Sequence, residues 1–458
     1  MKNTCKLSLI ATLCSTLWLT GCGDAKTTIN EKESEQPAPD DGHNHGNGGD
    51  ITIDSLGRLA ISAPDSDQIS VFDLDDSELV GQFSTTYAGS RITASAGYRY
   101  LVITNRENGH TGFIDGGLWR EDHVAHLHDY EQAPATIDFH IDSSQPTHVV
   151  KHEGVMAIFN DGNADTSTNA SVNLLTDENI TAAKTDSEVI TFDMNMHGVA
   201  EPRGDFILTT VRRDDATSTS AAKILPDQVA VYHKHGDEYE QDVIFDTTCP
   251  NLHGAAQSEN FVAFGCGDGV FLAKDDGHDF DVSKIANLDN FDSRRVGSLY
   301  GHHSHNALIG VASARDTTPL LVTVDAVNGA MSEIDWQPQT DAAPVSYGFS
   351  VDGDVFVILD NQGYLTLLES HDHDGETEWE FASRVDFTQQ DVSTMPDGQS
   401  FSLVMSQHAD TAYISDPLAN TIVAVDLADG DITTALSLDF TPANISWLGI
   451  KNEEEHAH

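Results

Sequence analysis

Three histidines fall within six consecutive positions inside residues 121–130, EDHVAHLHDY. His126 and His128 are two residues apart, so both side chains lie on one side of the chain where it is extended. His123 stands on the preceding turn, and Asp122 can bind a metal directly or hold a histidine ligand in place. Imidazole and carboxylate groups are among the ligands that zinc prefers. The spacing therefore predicts a zinc site here, with a histidine-rich polar surface loop as the alternative.

A second set of histidines is spread along the chain, each near the start of a short apolar segment. The sequences MHGVA and LHGAA contain two of them, each followed by a glycine that permits close approach of backbones. Segments of this kind can line a central channel, and their first residues then converge at one rim. The alternative is a set of polar channel residues that bond to carbonyl groups or water. Candidate ligands on this basis are His148, His197, His253 and the group of His302, His303 and His305.

The amino terminus has the features of an export signal. Two lysines precede an apolar run at residues 7–18, which is too short to span a bilayer. The run ends in Leu-Thr-Gly-Cys, which resembles the lipobox of bacterial lipoproteins and predicts cleavage before Cys22 and lipid on its sulfur. Gly23, where an aspartate would signal inner-membrane retention, favours the outer membrane. We expect residues 1–21 to be a lipoprotein signal peptide and the mature chain to be lipid-anchored in the periplasm, with an uncleaved secretory signal as the alternative.

Residues 22–50 are rich in Gly, Asp, Glu and Pro and have no apolar periodicity, which is typical of a disordered acidic tether. His43 and His45 in this tether could bind metal loosely. Two of the five cysteines leave with the signal peptide and Cys22 is lipidated, so Cys249 and Cys266 remain. A disulfide is expected for this pair in an oxidising compartment, with thiolate metal ligands as the alternative.

The chain beyond residue 50 consists of short alternating or β-branched runs between Asp-Gly and Asn-Gly turns, which predicts an all-β protein. Residues 57–84 and 410–439 repeat the same strand–turn–strand–turn–strand pattern. Eight innermost-strand candidates follow one another about 50 residues apart, a spacing that fits four-stranded propeller blades. We predict a β-propeller over residues 51–450 with eight blades, or seven as the alternative, whose ring is closed by strands from both termini. Residues 451–458 form an acidic, histidine-containing tail.

The propeller arrangement raises a question about the histidines. Residues 113–134 occupy the connection between the third and fourth strands of one blade, on the face opposite the starts of the innermost strands. Either this insertion binds metal on its own face, or it reaches the channel and meets His197 or His253. The sequence leaves both arrangements open.

Net charge excludes one class of partner. The chain has 74 acidic and 23 basic residues and a formal net charge of −51. Repulsion from phosphate therefore excludes nucleic acid as a partner. No Ser-His-Asp or paired-carboxylate pattern stands out from this acidic background, and no CxxCH motif for covalent haem occurs.

Several segments resemble the AztD-type periplasmic zinc chaperones that accompany zinc ABC transporters. They are FIDGGLWREDHVAHLH, PTHVVKHEGVMAIFNDG, MHGVAEPRGDFILTT, NLHGAA with FGCGDGV, and SRRVGSLYGHH, and they cover most of residues 90–310. The resemblance implies a propeller that holds zinc and passes it to the transporter's soluble binding protein, with a mobile histidine-bearing segment near the amino terminus. His43 and His45 occupy that place here. The lipid anchor departs from the family.

These observations predict a monomeric, non-enzymatic metallochaperone that binds Zn(II) and transfers it to the periplasmic solute-binding protein of a zinc ABC transporter. Zinc affinity should fall as the pH drops through roughly 6–6.5, because imidazole must be neutral to bind. Two alternatives belong to other classes. One is a non-catalytic interaction scaffold on the outer membrane. The other is a histidine-lined propeller that binds copper, as in nitrous oxide reductases, although no second copper-binding domain is evident.

Overall fold

The computed structural model of the chain describes residues 50–123, 126–184, 188–215, 217–219, 222–236, 238–373 and 376–452. The predicted signal peptide, the lipidation site Cys22, the tether histidines His43 and His45, and the tail from residue 453 onward lie outside these ranges. Within them, no helix has the length and apolar character needed to cross a bilayer.

Eight four-stranded antiparallel sheets contain nearly all of the strands and form the blades of a propeller ring. The prediction of eight blades is confirmed, and the alternative of seven is wrong. From the innermost strand outward, blade 1 contains β4 (Arg91–Ala94), β5 (Tyr100–Asn105), β6 (His110–Asp115) and β9 (Ala135–Asp142). Blade 2 contains β10 (Pro146–His152), β11 (Val155–Asn160), β12 (Ser171–Leu175) and β13 (Val189–Thr191). Blade 3 contains β14 (Ala200–Arg203), β15 (Phe206–Val211), β16 (Gln228–His235) and β17 (Glu238–Ile244).

The remaining blades repeat this arrangement. Blade 4 contains β18 (Ala255–Gln257), β19 (Phe261–Cys266), β20 (Gly269–Asp275) and β21 (Phe280–Ala286). Blade 5 contains β22 (Arg295–Tyr300), β23 (Leu308–Ser313), β24 (Leu320–Asp325) and β25 (Ala330–Ile334). Blade 6 contains β26 (Pro344–Phe349), β27 (Val355–Asp360), β28 (Tyr364–His373) and β29 (Glu376–Asp386). Blade 7 contains β30 (Ser402–Met405), β31 (Thr411–Asp416), β32 (Thr421–Asp426) and β33 (Ile432–Ser437).

Blade 8 closes the ring with strands from both ends of the chain, as predicted. Its innermost strand is β34 (Ile445–Leu448), and its outer three are β1 (Arg58–Ser62), β2 (Gln68–Asp73) and β3 (Leu79–Ser84). Trp447 is 1% exposed, and its indole Nε1 donates a hydrogen bond to the Leu56 carbonyl at 2.9 Å. The same tryptophan packs with Leu59 of blade 8 and Tyr413 of blade 7 in one apolar cluster. Each buried side chain of this size contributes about 1.5–3 kcal/mol, so neighbouring blades stabilise one another.

The antiparallel order of the strands gives the ring two distinct faces. We call the face where the innermost strands begin the start face, and the opposite one the end face. Loops that follow the first and third strands of a blade lie on the end face. The loop after the second strand and the connection to the next blade lie on the start face. Within the described residues, three short helices connect strands: α1 (Asp177–Thr181) and two 3₁₀ turns at Asp289–Phe291 and Val392–Thr394.

The predicted insertion is a separate β-hairpin on the end face, made of β7 (Leu118–Asp122) and β8 (Leu127–Glu131) between the third and fourth strands of blade 1. The prediction that His302, His303 and His305 begin an innermost strand is wrong. Innermost strand β22 ends at Tyr300, so these histidines follow it and lie in its end-face loop. The strand is formed by the apolar residues before the histidines, Val296 and Leu299, which are both buried.

Candidate metal-binding site

Three histidines from three consecutive blades meet on the start face. His148 is the third residue of β10, His197 comes three residues before β14, and His253 comes two residues before β18. One ligand atom from each lies within 4.8 Å of the others, and each side chain is half-buried. No other group of three or more His, Cys, Asp or Glu residues is this compact in the described ranges. We call these three residues the triad.

The glycines that follow two of these histidines are required by packing. A Cβ atom on Gly198 would overlap the Phe159 ring and the Thr210 hydroxyl. Gly254 has a φ of +78°, and a Cβ there would press on the Gly297 carbonyl. The two His-Gly steps therefore let the backbones of adjacent blades approach closely enough for the histidine rings to meet.

Hydrogen bonds fix which ring nitrogen each histidine presents. His197 Nδ1 lies 2.9 Å from Asp161 Oδ2, and His253 Nδ1 lies 2.9 Å from the Gly297 carbonyl. A proton on Nδ1 in both rings leaves Nε2 free to bind a metal. His148 Nε2 and His197 Nε2 are 3.3 Å apart. Two nitrogen ligands at about 2.0–2.1 Å on a tetrahedral zinc are roughly 3.3 Å from each other, so this spacing fits zinc.

Burial keeps the triad ready to bind a cation. It lowers the pKa of His148 to about 4, and the neighbouring His197 and His253 rings add to this effect. Burial also lowers the pKa of His253, despite the opposing hydrogen bond to the Gly297 carbonyl. Both imidazoles are therefore neutral at neutral pH, which is the form that binds metal.

A carboxylate and two cations lie directly behind the triad. The Asp161 side chain is 2% exposed, and its Oδ2 atom contacts the Arg106 guanidinium at 2.8 Å and Lys223 Nζ at 3.6 Å. Burial alone would raise the pKa of Asp161, but the His197 hydrogen bond and the two cations lower it overall. Sequence patterns did not single out these residues, because they belong to loops after second strands rather than to the strand starts.

A polar cavity of about 140 Å³ on the start face borders one member of the triad, His197. His197, Asp161, Arg106 and Lys223 all contribute to its wall. The cavity therefore places the positive groups beside the metal ligands, where they would oppose the charge of a bound cation.

The insertion hairpin brings together the other three predicted histidine ligands. The centroids of the His126 and His128 rings are 4.5 Å apart, and the His123 ring lies 4.9 Å from His128 and 5.6 Å from His126. Trp119 and Tyr130 stack across the hairpin with centroids 4.9 Å apart, and so hold the two ends of the insertion together. The three imidazoles are therefore neighbours on one hairpin.

Asp122 is the last residue of β7, where it pairs with Leu127. It therefore lies next to the turn that carries His123. The carboxylate of Glu121 is 3.6 Å from His123 Nε2, so a second acidic group is close to the same imidazole.

The first described residues of the chain run beside this hairpin. Ile51 pairs with His128, and the Asp50 carboxylate accepts a hydrogen bond from the Leu127 amide at 2.8 Å. The buried carboxylate of Asp129 accepts a hydrogen bond from the Ile53 amide at 2.9 Å and contacts the Arg120 guanidinium at 2.6 Å. The point where the predicted tether joins the propeller is thus fixed next to the hairpin histidines.

The candidate ligands form two groups at opposite faces of the ring. The hairpin group (His123, His126, His128 and Asp122) is on the end face, and the triad is on the start face. Of the two arrangements that the sequence left open, the structure has the insertion on its own face.

Cys249 and Cys266 form a disulfide with an S–S distance of 2.09 Å. Both cysteines are fully buried. The bond ties the segment just before His253 to the end of β19, and the Gly265 carbonyl accepts a hydrogen bond from the His253 amide at 2.9 Å. The disulfide therefore helps to position one of the triad ligands.

Comparison with known proteins gives a sequence relative and structures of the same fold. No family model matches the chain. It is 23% identical over 215 residues to the zinc chaperone AztD of Citrobacter koseri, a match that covers 47% of this chain and spans about half of that protein (47%). The crystal structure of C. koseri AztD and its apo form superimpose with TM-scores of 0.68 and 0.67, each at 19% identity over 87% of this chain and 99% of the other.

The fold itself is shared with proteins of other functions. The dihydro-heme d1 dehydrogenase NirN superimposes with a TM-score of 0.51 at 10% identity, over 86% of this chain and 76% of that one. The propeller alone therefore does not decide between a chaperone and an enzyme. Evidence for the function must therefore come from the two groups of histidines that could bind a metal.

Proposed function

We propose that this chain is a zinc-binding metallochaperone, lipid-anchored in the periplasm, that holds Zn(II) and transfers it to the solute-binding protein of a zinc ABC transporter. The triad carries the proposal. Its three imidazoles come from three blades, two of them are fixed with Nε2 free, and one nitrogen pair has the spacing of tetrahedral zinc ligands.

Sequence similarity to a zinc chaperone supports the same cargo. Neutral imidazoles bind zinc without redox chemistry, and they exchange more readily than a closed set of four thiolates. A chaperone needs this combination, because it must hold the ion and then release it to an acceptor by ligand exchange.

The two histidine groups suit different steps. The triad is half-buried behind a polar cavity, which favours holding the ion. The hairpin is more open: the His123 side chain is 42% exposed, and the tether joins the propeller beside it. We assign exchange with the partner to the hairpin, assisted by His43 and His45 of the tether.

The proposal is tested by zinc transfer from the purified mature chain, residues 22–458. Zinc-loaded protein is mixed in a stopped-flow instrument with the metal-free binding protein, and separately with a small chelator of matched affinity. We expect faster transfer to the protein, at a rate that rises with its concentration. Equal rates to both acceptors, set by spontaneous release, would replace the chaperone function with zinc storage.

The contribution of the tether is tested by deletion. Removal of residues 40–46, which include both tether histidines, should slow transfer several-fold while equilibrium zinc affinity changes little. Removal of residues 30–36, which have the same length and no histidine, is the matched control. Equal rates in the two deletion variants would show that the histidines have no part in transfer.

A further inference from the structure

A second layer of polar side chains lies beyond the triad, on the innermost strands β10, β14 and β18. Each triad histidine is followed four residues later by a residue with ligand atoms: His148 by His152, His197 by Glu201, and His253 by Gln257. His148 and His152 both lie in β10, so they point to the same side and are separated by about 13 Å at 3.3 Å per residue. The other two histidines precede their strands, whereas Glu201 lies in β14 and Gln257 ends β18. The three residues therefore lie deeper in the ring than the triad, toward the end face.

Each of the three has a buried atom that makes no hydrogen bond within the described chain: His152 Nε2, Glu201 Oε1 and Gln257 Oε1. Glu201 is 2% exposed, and the Ser258 hydroxyl beside Gln257 is also buried without a partner in those residues. Unpaired buried polar atoms each cost about 1–3 kcal/mol, and native proteins contain few of them. Of the thirteen such atoms in the described residues, four belong to the innermost strands of three consecutive blades, β10, β14 and β18, and to the residue after β18. This concentration points to a bound group between these strands.

Existing hydrogen bonds fix the orientation of this layer. Gln257 Nε2 donates to Glu201 Oε2 at 3.0 Å and to the Pro202 carbonyl at 2.6 Å. A carbonyl oxygen accepts only, so these bonds identify the amide nitrogen and leave Gln257 Oε1 as the open acceptor. Glu201 Oε1 is left open by the same contact. Gln257 Oε1 is an open acceptor, and Glu201 Oε1 is one when its carboxyl group loses its proton. The partner that both oxygens then lack is a donor or a cation.

The surrounding charges leave room for a cation. Burial raises the pKa of Glu201 to about 8, and no basic side chain within the described residues pairs with its carboxyl group. Arg203 is close by, but its guanidinium is held by Asp275 at 2.8 Å and by the carbonyls of Ser258 and Glu259. His152 faces the Glu153 carboxylate at 3.6 Å.

Three further groups face His152. Burial lowers its pKa; Glu153 opposes this effect, and Arg203, His303 and Lys451 add to it. The imidazole is thus neutral and able to bind metal. His303 belongs to the end-face loop after β22, so the layer lies between the triad and the histidines of that loop.

We infer that His152, Glu201 and Gln257, with the Ser258 hydroxyl, form a second cation site inside the ring, suited to a borderline divalent ion such as Zn²⁺. One nitrogen and two or three oxygens are a donor set that zinc accepts. The site goes beyond the proposed function, because it would stand even if no partner protein took zinc from this chain. It extends the line of ligands from the start face toward the end face.

The test counts zinc ions and locates them. The mature chain and its Glu201→Gln variant are titrated with Zn²⁺ against a competing chelator. The variant is nearly isosteric and retains a carbonyl oxygen that can accept the hydrogen bond from Gln257 Nε2. We expect it to lose one zinc equivalent, or to bind that equivalent at least tenfold more weakly. Glu240→Gln, the same change at an exposed position on the outermost strand of blade 3, is the matched control.

The second measurement uses the unaltered protein, so it does not depend on whether a variant folds. Crystals soaked in Zn²⁺ should show an anomalous peak at the zinc edge beside His152 Nε2 and Glu201 Oε1. Density of a water molecule there, with no anomalous signal, would overturn the inference. So would an unchanged zinc count and affinity in the Glu201→Gln variant. Neither result would bear on transfer to a partner, which the stopped-flow experiment measures separately.

Discussion

Asp161 Oδ2 accepts a hydrogen bond from His197 Nδ1 at 2.9 Å and contacts the Arg106 guanidinium at 2.8 Å with the same oxygen atom. One carboxylate atom therefore both orients a metal ligand and is itself held by a cation. Because the Asp161 side chain is 2% exposed, water screens this arrangement little.

Replacement of Asp161 by Asn should weaken zinc binding at the triad about 10–100-fold, because the imidazole loses its charged acceptor and its fixed orientation. The measurement is a competition titration with zinc in a variant that lacks His126 and His128. In this variant the hairpin no longer offers three histidines, so the triad is the group of three histidines under test. Asp142→Asn is the control, since Asp142 also contacts a histidine, His110, but is 71% exposed and lies on another blade. Equal losses in both variants would contradict a specific role for Asp161.

Zinc binding at the triad should resist acid. Burial and the adjacent rings set the pKa of His148 at about 4, below the ordinary value of 6.5. Protons compete with zinc only as the pH approaches the pKa of a ligand, so the contribution of His148 to zinc affinity should change little from pH 7 to about 5.5 and fall below about 5. This is lower than the range of 6–6.5 expected for an unperturbed histidine. A pH series of zinc titrations in the hairpin-deficient chain is the measurement.

The same shift has a consequence for the metal-free protein, with a definite sign. His148 binds fewer protons in the folded state than in the unfolded state between pH 6.5 and 4. The free energy of unfolding should therefore fall as the pH drops through this window. His148→Gln should make urea unfolding less dependent on pH in that range. An unchanged slope would show that His148 is not shielded as described.

The double change of His126 and His128 to Ala should remove zinc from the hairpin without unfolding the propeller, because the hairpin is an insertion outside the eight blades. Zinc content should fall by one equivalent while the triad retains its ion. His233 and His235 offer a matched control: they are also two residues apart on a strand, with ring centroids 4.7 Å apart and no third histidine in contact. If the hairpin variant keeps the full zinc count, the assignment of this group is wrong.

Loss of the disulfide should affect both stability and the triad. Cys249 and Cys266 are 17 residues apart, and a loop of this size is worth about 3 kcal/mol in the chain-entropy model. The Cys249→Ser, Cys266→Ser variant should unfold at lower urea concentration by a corresponding amount. Zinc affinity at the triad should also decrease, because the segment before His253 is released. Stability equal to that of the unaltered chain would reject the structural role.

Local sequence signals predict the propeller ring and the triad histidines, but not the side chains that support the triad. Strand repeats and the shared pattern of residues 57–84 and 410–439 are local signals, so blade number and ring closure could be predicted. His-Gly at the starts of β14 and β18 is also a local signal, and it led to the triad. Asp161 and Glu201 could not be found in this way, because their roles depend on side-chain contacts to other loops and blades. The sequence places His302 at the start of an innermost strand, but it lies in the loop between β22 and β23. The error arises because an apolar strand lies on each side of this loop, and the pattern does not show which of them is innermost.

The pairing of Ile51 with His128 sets a limit on how far the tether histidines can move. His45 is five residues before Asp50, and five residues of chain reach at most about 18 Å. An imidazole confined to that radius has an effective concentration in the millimolar range or above at the hairpin, whatever the protein concentration. On the proposed function, a zinc ion released by the hairpin would therefore meet a tether imidazole in an intramolecular step, and dilution of the protein would not slow that first exchange.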